Sequence, residues 1–333
     1  MSRREPHSRA AGPWSHYWAT GALHSCPNAF AGNYDDDVRE HWYAFFSKLP
    51  DGARILDIGT GNGAIAFLAR DAANAAGRSF HIEGIDAAII HPAAAAAQHG
   101  IDVGSIIFRG ETSIERTDYP PQHFDATSSQ YAIEYTDVAE SLKELARILK
   151  PGGQAEFVIH HAASRALEAT RAELRAFEYL RDEAPVLLES CRLLQKLLPA
   201  GNASALAVRI QDSELRRHDQ TVQELIREAT SFARSQPGAA FVQGIVRQVA
   251  TTLQRTVETG PAVALERLGV LAEEMSAHQN RLIAIAQAAH GPQDIQQFCH
   301  LAARSGFEVD TPRELVRREQ DLIGWACSAR LEP

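Results

Sequence analysis

Arg54-Ile-Leu-Asp57-Ile-Gly59-Thr60-Gly61-Asn62-Gly63 reads as an apolar strand running into a glycine-rich turn, and Ala64–Ala76 behind it reads as a helix. Glycines at alternate positions let the backbone bend sharply and pass close to a ligand, because a residue without Cβ tolerates positive φ and leaves no side chain in the way. The helix that opens there offers N–H groups with no intrahelical partner. Outward from this turn the alternation continues. His81-Ile-Glu-Gly-Ile-Asp86 is a second strand with a helix through Ala93–Gln98, and Ser105-Ile-Ile-Phe108 is a third. Phe124-Asp-Ala-Thr-Ser128 is a fourth, followed by the helix Val138–Leu149, and Gln154-Ala-Glu-Phe-Val-Ile159 is a fifth. Strands alternating with helices predict an α/β fold, a mostly parallel sheet with helices on both faces.

Residues 162–290 break the pattern. They contain no convincing strand. Apolar stripes at helical spacing replace it: Val222, Leu225, Ile226, Ala229 and Phe232; Val242, Ile245, Val246, Val249, Leu253 and Val257; and Leu265, Leu268, Ala272 and Met275. Pro199-Ala-Gly201, Pro237-Gly238, Gly260-Pro261 and Gly291-Pro292 punctuate them. About four or five short-looped antiparallel helices are expected. After Pro292 a helix runs to Ser305, with Gly306 at its C-cap position, and strands follow at Phe307–Asp310 and Leu322–Ser328. The block at 162–291 therefore reads as a helical subdomain inserted into one α/β domain, 35–161 and 292–333. It would serve as a cap over that domain's pocket, as a dimerisation bundle for a homodimer, or as both. Upstream, a polar stretch at 1–12 precedes Trp14, Tyr17, Trp18, Phe30 and Tyr34. Segment 1–34 reads as an aromatic strap on the main domain, with a lid over a ligand as the second reading. Asp35–Asp37 suit the N-terminus of a helix whose Val38, Trp42, Phe45 and Phe46 face a core.

Composition narrows the classes. The chain has 333 residues, is 45% hydrophobic and 23% charged, and so is neither collagen-like nor low in complexity. Its 33 basic and 42 acidic residues give a net charge of −9, which speaks against an extended nucleic-acid surface. No apolar run approaches the roughly 20 residues of a membrane span. Met1-Ser-Arg-Arg-Glu-Pro6 has no apolar stretch behind it, so no secretory signal is read. Cys26, Cys191, Cys299 and Cys327 form no CxxC pair and read as reduced thiols in a cytoplasmic protein with no metal site.

Asp86 ends the second strand at roughly the 20-residue interval at which an acid meets a ribose. A carboxylate there can accept from both ribose hydroxyls, or cap the following helix. The turn is G-x-G-x-G, whereas the dinucleotide fingerprint is G-x-G-x-x-G, and its last position here is Ala64. Ile55–Gly63, Gly84-Ile-Asp86, His123-Phe124-Asp125 and Leu145-Ala-Arg147-Ile-Leu149-Lys150-Pro151-Gly152-Gly153 together resemble the class I S-adenosylmethionine-dependent methyltransferases, over 35–160 and 293–331. The resemblance implies a Rossmann-like seven-stranded sheet, mostly parallel, whose seventh strand runs antiparallel. It also implies S-adenosyl-L-methionine as cofactor. Asp57, Gly59, Thr60, Gly61, Asn62 and Gly63 would lie beside its methionine part, Asp86 and Ala87 at the ribose, and Glu111 and Thr112 beside the adenine. Ser129-Gln130-Tyr131 would border the methyl-donor pocket.

Two departures bear on the acceptor. Ser128-Ser129-Gln130-Tyr131 stands where relatives that methylate exocyclic amines of bases carry Asn/Asp-Pro-Pro-Tyr, which speaks against N6-adenine chemistry. No cysteine stands near the fourth or fifth strand, so a covalent cytosine mechanism has no nucleophile. His160 and His161 end the fifth strand, at the edge where open α/β sheets bind ligands. Each is a candidate base for a hydroxyl acceptor, or else a solvated or capping residue. Tyr131, Glu134 and Tyr135 are candidate acceptor contacts; for Glu134 and Tyr135 a surface helix turn is the equal alternative. His290/His300 and Cys191/Cys299 lack ligand spacing and read as structural. The sequence thus predicts a methyltransferase acting on a small-molecule acceptor, oxygen slightly favoured over nitrogen. A non-catalytic scaffold that binds a partner or dimerises through its helices is the alternative. A nicotinamide oxidoreductase is remote.

Overall fold

Alternation along each strand sends one residue to each face of the sheet, and the neighbours Ile55 and Leu56 show the result. Both are buried, but in opposite layers. In the computed structural model, which describes residues 8–26, 32–200, 203–318 and 321–333, the chain forms two compact units: Met1–Leu167 with Ala284–Pro333, and Glu168–Ile283. Phe30 and Gly201, named above, lie outside the described residues, as do residues 1–7 of the polar N-terminal stretch.

The first unit carries the sheet. β1 (Arg54–Ile58), β2 (His81–Ile85), β3 (Ile107–Arg109), β4 (Phe124–Gln130) and β5 (Leu149–His160) are parallel. β1 pairs Ile55 with Ile82 on one side and with Ala126 on the other. β8 (Asp321–Leu331) runs antiparallel beside β5, placing Phe157 opposite Cys327 and His160 opposite Gly324. Its far edge takes β6 (Phe307–Val309) at one end and β7 (Arg313–Arg317) at the other. The path β3-β2-β1-β4-β5-β8-β6 holds seven strands, the Rossmann-like arrangement expected, with the last strand in the chain antiparallel. β7 is an addition. Arg313-Glu-Leu-Val-Arg317 is mostly charged and buries only Leu315, so it carries almost no strand signal, as suits an exposed edge.

Helices cover both faces. On one, α2 (Asp36–Phe46) and α3 (Ala64–Ala75) bury Val38, Trp42, Phe46, Ile65 and Phe67 against Ile55, Ile82 and Val158. On the other, α5 (Val138–Ile148) and α13 (Pro292–Arg304) bury Leu142, Leu145, Ile295 and Phe298 against Leu56 and Phe157. α4 (Pro92–Gln98) follows β2. The polar N-terminal stretch enters a helix that the sequence did not suggest, α1 (Ser8–Trp18), which contains Pro13. β1 has β2 on one side and β4 on the other, so the chain reverses direction across the sheet there. That is the point at which an open α/β sheet leaves a crevice at its carboxyl edge.

The second unit is helical: most of α6 (Arg165–Asp182), then α7 (Val186–Leu197), α8 (Ala203–Arg209), α9 (Ser213–Ser235), α10 (Ala240–Gln254), α11 (Thr256–Thr259) and most of α12 (Pro261–Ala288). Among the described residues seven helices stand where four or five were expected, because short α8 and α11 break longer runs. Val222, Ala229, Val242, Ile245, Val246, Val249 and Leu268 form its core. Two stripe residues fall out of place. α10 stops at Gln254, so Val257 on α11 is 61% exposed, and on α12 it is Leu271 rather than Ala272 that is buried. Among the described residues no helix is long and apolar enough to cross a membrane.

Phe298 lies edge-on to Phe157 with ring centroids 5.2 Å apart. Phe298→Ala should lower stability by about 3–5 kcal/mol, read in urea unfolding followed by amide exchange on β5. A loss under about 1 kcal/mol would mean that this layer does not hold the sheet as described.

Candidate functional site

The turn after β1 is built on left-handed glycines: Gly59 has φ +62°, Gly61 +51° and Gly63 +98°. A Cβ on Gly59 would lie 2.1 Å from the Cβ of Ala132, and one on Gly61 2.5 Å from the ring of Trp18. The backbone therefore comes closer to its neighbours than any side chain permits. Asp57 braces the turn from inside. Its Oδ2 accepts from the Thr60 hydroxyl at 2.7 Å and its Oδ1 from the Ser128 hydroxyl at 2.8 Å. Burial outweighs these bonds and pushes the carboxyl up to about 7.

Asp86 joins two loops. Its Oδ2 accepts from the Gly61 N–H and its Oδ1 from the Ala88 N–H, each at 2.8 Å. It is half-buried, and burial pushes its carboxyl up to about 6. Each oxygen keeps a second acceptor site. Beyond it the backbone N–H of Thr112 donates to the Asp86 carbonyl at 2.9 Å, bringing the stretch after β3 alongside.

These elements border a cavity of about 400 Å³. Asp57, Gly59, Thr60, Asp86 and Ala87 line one side; Thr112, Ser113 and Ile114 another; Gln130, Tyr131, Ala132 and Tyr135 a third. The N-terminal segment supplies the roof with Trp14, Trp18, Leu23, His24 and Tyr34. Asn62 ties that roof down. Its Nδ2 donates to the carbonyls of Trp18 (3.1 Å) and Ala22 (2.7 Å), while its Oδ1 accepts from the His91 N–H at 2.8 Å. The Ile89 N–H donates to the Ser15 hydroxyl at 3.0 Å, and Trp14 meets Tyr135 edge-on at 5.7 Å. α1 thus touches both lips of the crevice.

Of the residues expected at the cofactor, Asp57, Gly59, Thr60, Asp86, Ala87, Thr112 and Gln130 line this cavity. Gly61, Asn62 and Gly63 stand behind its wall, with Asn62 turned toward α1. Glu111 is exposed at φ +52° and outside the wall. At the end of β4, Gln130 accepts from the Trp42 indole N–H at 2.5 Å, and its Nε2 is buried with no hydrogen-bond partner among the described residues.

The expected acceptor contacts separate. Tyr131 and Tyr135 line the cavity. Tyr131 is held at φ +55°, its N–H donating to the Val158 carbonyl at 2.7 Å and its hydroxyl to the Ile323 carbonyl at 3.0 Å. Glu134 is buried outside the wall and accepts from the backbone N–H of His160 at 2.9 Å; burial pushes its carboxyl up to about 8. The two candidate bases stand elsewhere. His160 is buried behind Tyr131, its ring stacked on the tyrosine at 4.1 Å, and burial lowers it to about 3. His161 packs on Trp325 at 4.4 Å, with Nε2 3.4 Å from Glu314. Neither borders the cavity. Strand alternation points these neighbours to opposite faces, and the chain's left-handed bend at Tyr131 puts that ring between His160 and the opening. The sequence reading missed Asn62 as the tie to α1, Trp42 as the partner of Gln130, and His24 in the roof. Only Trp42 had a signal, as a core position on α2.

Residues 31–196 match a family model described as a methyltransferase domain. No curated protein matches. Among solved structures, the chain is similar to the complex between the Haloferax volcanii Trm112 methyltransferase activator and a methyltransferase, at 22% identity and TM-score 0.36, over 48% of this chain and 62% of that one. It is similar to an S-adenosylmethionine-dependent methyltransferase from Mesorhizobium loti at 26% identity and TM-score 0.30, over 37% and 54%. A third, from Methanosarcina mazei, matches at 14% identity and TM-score 0.39, over 91% and 99%. The chain spans 62% and 54% of the length of the first two.

Asp57 sets a pH dependence. Its folded value of about 7 lies above the ordinary 3.8, so the folded state holds the proton more tightly. That contribution is complete below the ordinary value and is lost as pH rises through about 7. Asp57→Asn cannot titrate. Its melting temperature relative to the native chain should climb between about pH 5 and about pH 8, measured by calorimetry; a constant difference would contradict a buried, proton-retaining Asp57.

Proposed function

We propose that this chain, which belongs to the class I S-adenosylmethionine-dependent methyltransferase superfamily, methylates a small-molecule acceptor in the cavity beneath α1. The observation that carries the reading is Asp86, a cavity-wall carboxylate fixed by the N–H groups of Gly61 and Ala88 with acceptor sites to spare. The residues fit the cofactor. The glycine bend allows close approach, Asp86 can accept from both ribose hydroxyls, and Thr112 and Ser113 border the space beyond. The buried Gln130 amide offers a donor for a polar group at the end of β4. S-adenosylmethionine bound there supplies a methyl group on a sulfonium, a good leaving group. The protein's share is then orientation and a dry site. The aromatic roof serves the second, and Asn62 holds it in place.

A small acceptor suits a cavity enclosed by α1 and a net charge of −9, which speaks against an extended phosphate-binding surface. The preference for oxygen rested on a histidine base at the end of β5. With His160 and His161 both away from the cavity, that support is gone.

Calorimetric titration with S-adenosylhomocysteine should show saturable binding. Asp86→Ala should weaken it by about 1.5–3 kcal/mol, or about 10- to 150-fold, the scale of hydrogen bonds to a charged group. Absence of binding by the native chain would remove the reading.

A further inference from the structure

We propose that the acceptor is an uncharged, planar aromatic molecule seated against Trp14 and Tyr135. The inference rests on the cofactor reading above and adds the acceptor class to it.

Charge gives the first constraint. Among the described residues lining the cavity there is no lysine and no arginine, while Asp57, Asp86, Glu115 and Asp137 all contribute carboxylates. An anionic acceptor would enter a partly closed space beside carboxylates with no cationic side chain to balance it. A cationic acceptor would lie beside the sulfonium, a like charge at short range.

Shape gives the second. The Trp14 ring stacks on Trp18 with centroids 5.9 Å apart and 24° between planes, and meets Tyr135 at 5.7 Å and 81°. Trp14 and Tyr135 therefore form a right-angled corner that gives a flat ring one aromatic face and one aromatic edge, the two arrangements aromatic pairs prefer.

The test uses two fluorescent probes of one ring system, N-phenylnaphthylamine and its sulfonated counterpart anilinonaphthalenesulfonate, on the full chain saturated with S-adenosylhomocysteine. The neutral probe should bind saturably, quench tryptophan emission, and bind about tenfold or more tightly than the sulfonate. Trp14→Ala should weaken the neutral probe about tenfold in protein that still binds S-adenosylhomocysteine saturably. Tyr135→Ala should act likewise, and Trp14→Phe, which keeps an aromatic face, should retain most of the binding. Equal binding of the two probes, no binding of the neutral one, or indifference to both alanine variants in protein that still binds S-adenosylhomocysteine overturns the acceptor class and leaves the cofactor reading standing. Failure of the native chain to bind S-adenosylhomocysteine removes the cofactor reading and this inference with it.

Discussion

The Asp86 carboxylate holds two loops in one position, and the site depends on that position. One oxygen takes the N–H of Gly61 from the turn after β1; the other takes the N–H of Ala88 from the turn after β2. Two parallel strands end side by side, with Ile58 opposite Ile85, so their turns would otherwise diverge independently. A charged acceptor shared between two backbone donors fixes their separation and faces the cavity at the same time. Asp57 does the matching work one layer down, holding Thr60 from β1's turn and Ser128 from β4. The two carboxylates hold the first turn from both sides, and burial keeps both on the proton-retaining side of an ordinary aspartate.

The crevice exists because β1 sits at the switch point between β2 and β4, and its depth comes from what covers it. α1 lies across the opening, fastened through Asn62 to the turn itself and through Trp14 to Tyr135 on the opposite lip. Gly61 carries no side chain at the place where Trp18 arrives. The same glycine thus serves the bend and the roof, and each use forbids a Cβ for its own reason.

Much of this was legible in the sequence because it is local. Ile55 and Leu56 alternate, Gly59, Gly61 and Gly63 mark a turn, and Asp86 ends a strand at a telling interval. The mostly parallel sheet and the cofactor wall follow from such short-range patterns. What was not legible depends on distant partners. Arg313–Arg317 becomes a strand only because β8 offers it an edge. His160 and His161 looked equally placed at the end of β5, and only Tyr131, brought there by β4, decides that His160 is covered. Asn62 sits within the glycine turn, yet its side chain serves a helix 44 residues earlier in the chain. Ser8–Trp18 runs from the polar stretch into the aromatic one with a proline inside, and its helix is recognisable only with the crevice beneath it.

A crystal structure of the full chain grown with S-adenosylhomocysteine tests the central claim most directly. The account predicts density beneath Trp18 along the Gly59–Gly61 bend, with both ribose hydroxyls on the Asp86 carboxylate and the adenine beside Thr112 and Ser113. Density for the compound elsewhere, or none with Asp86 still bridging Gly61 and Ala88 above an empty cavity, would contradict it.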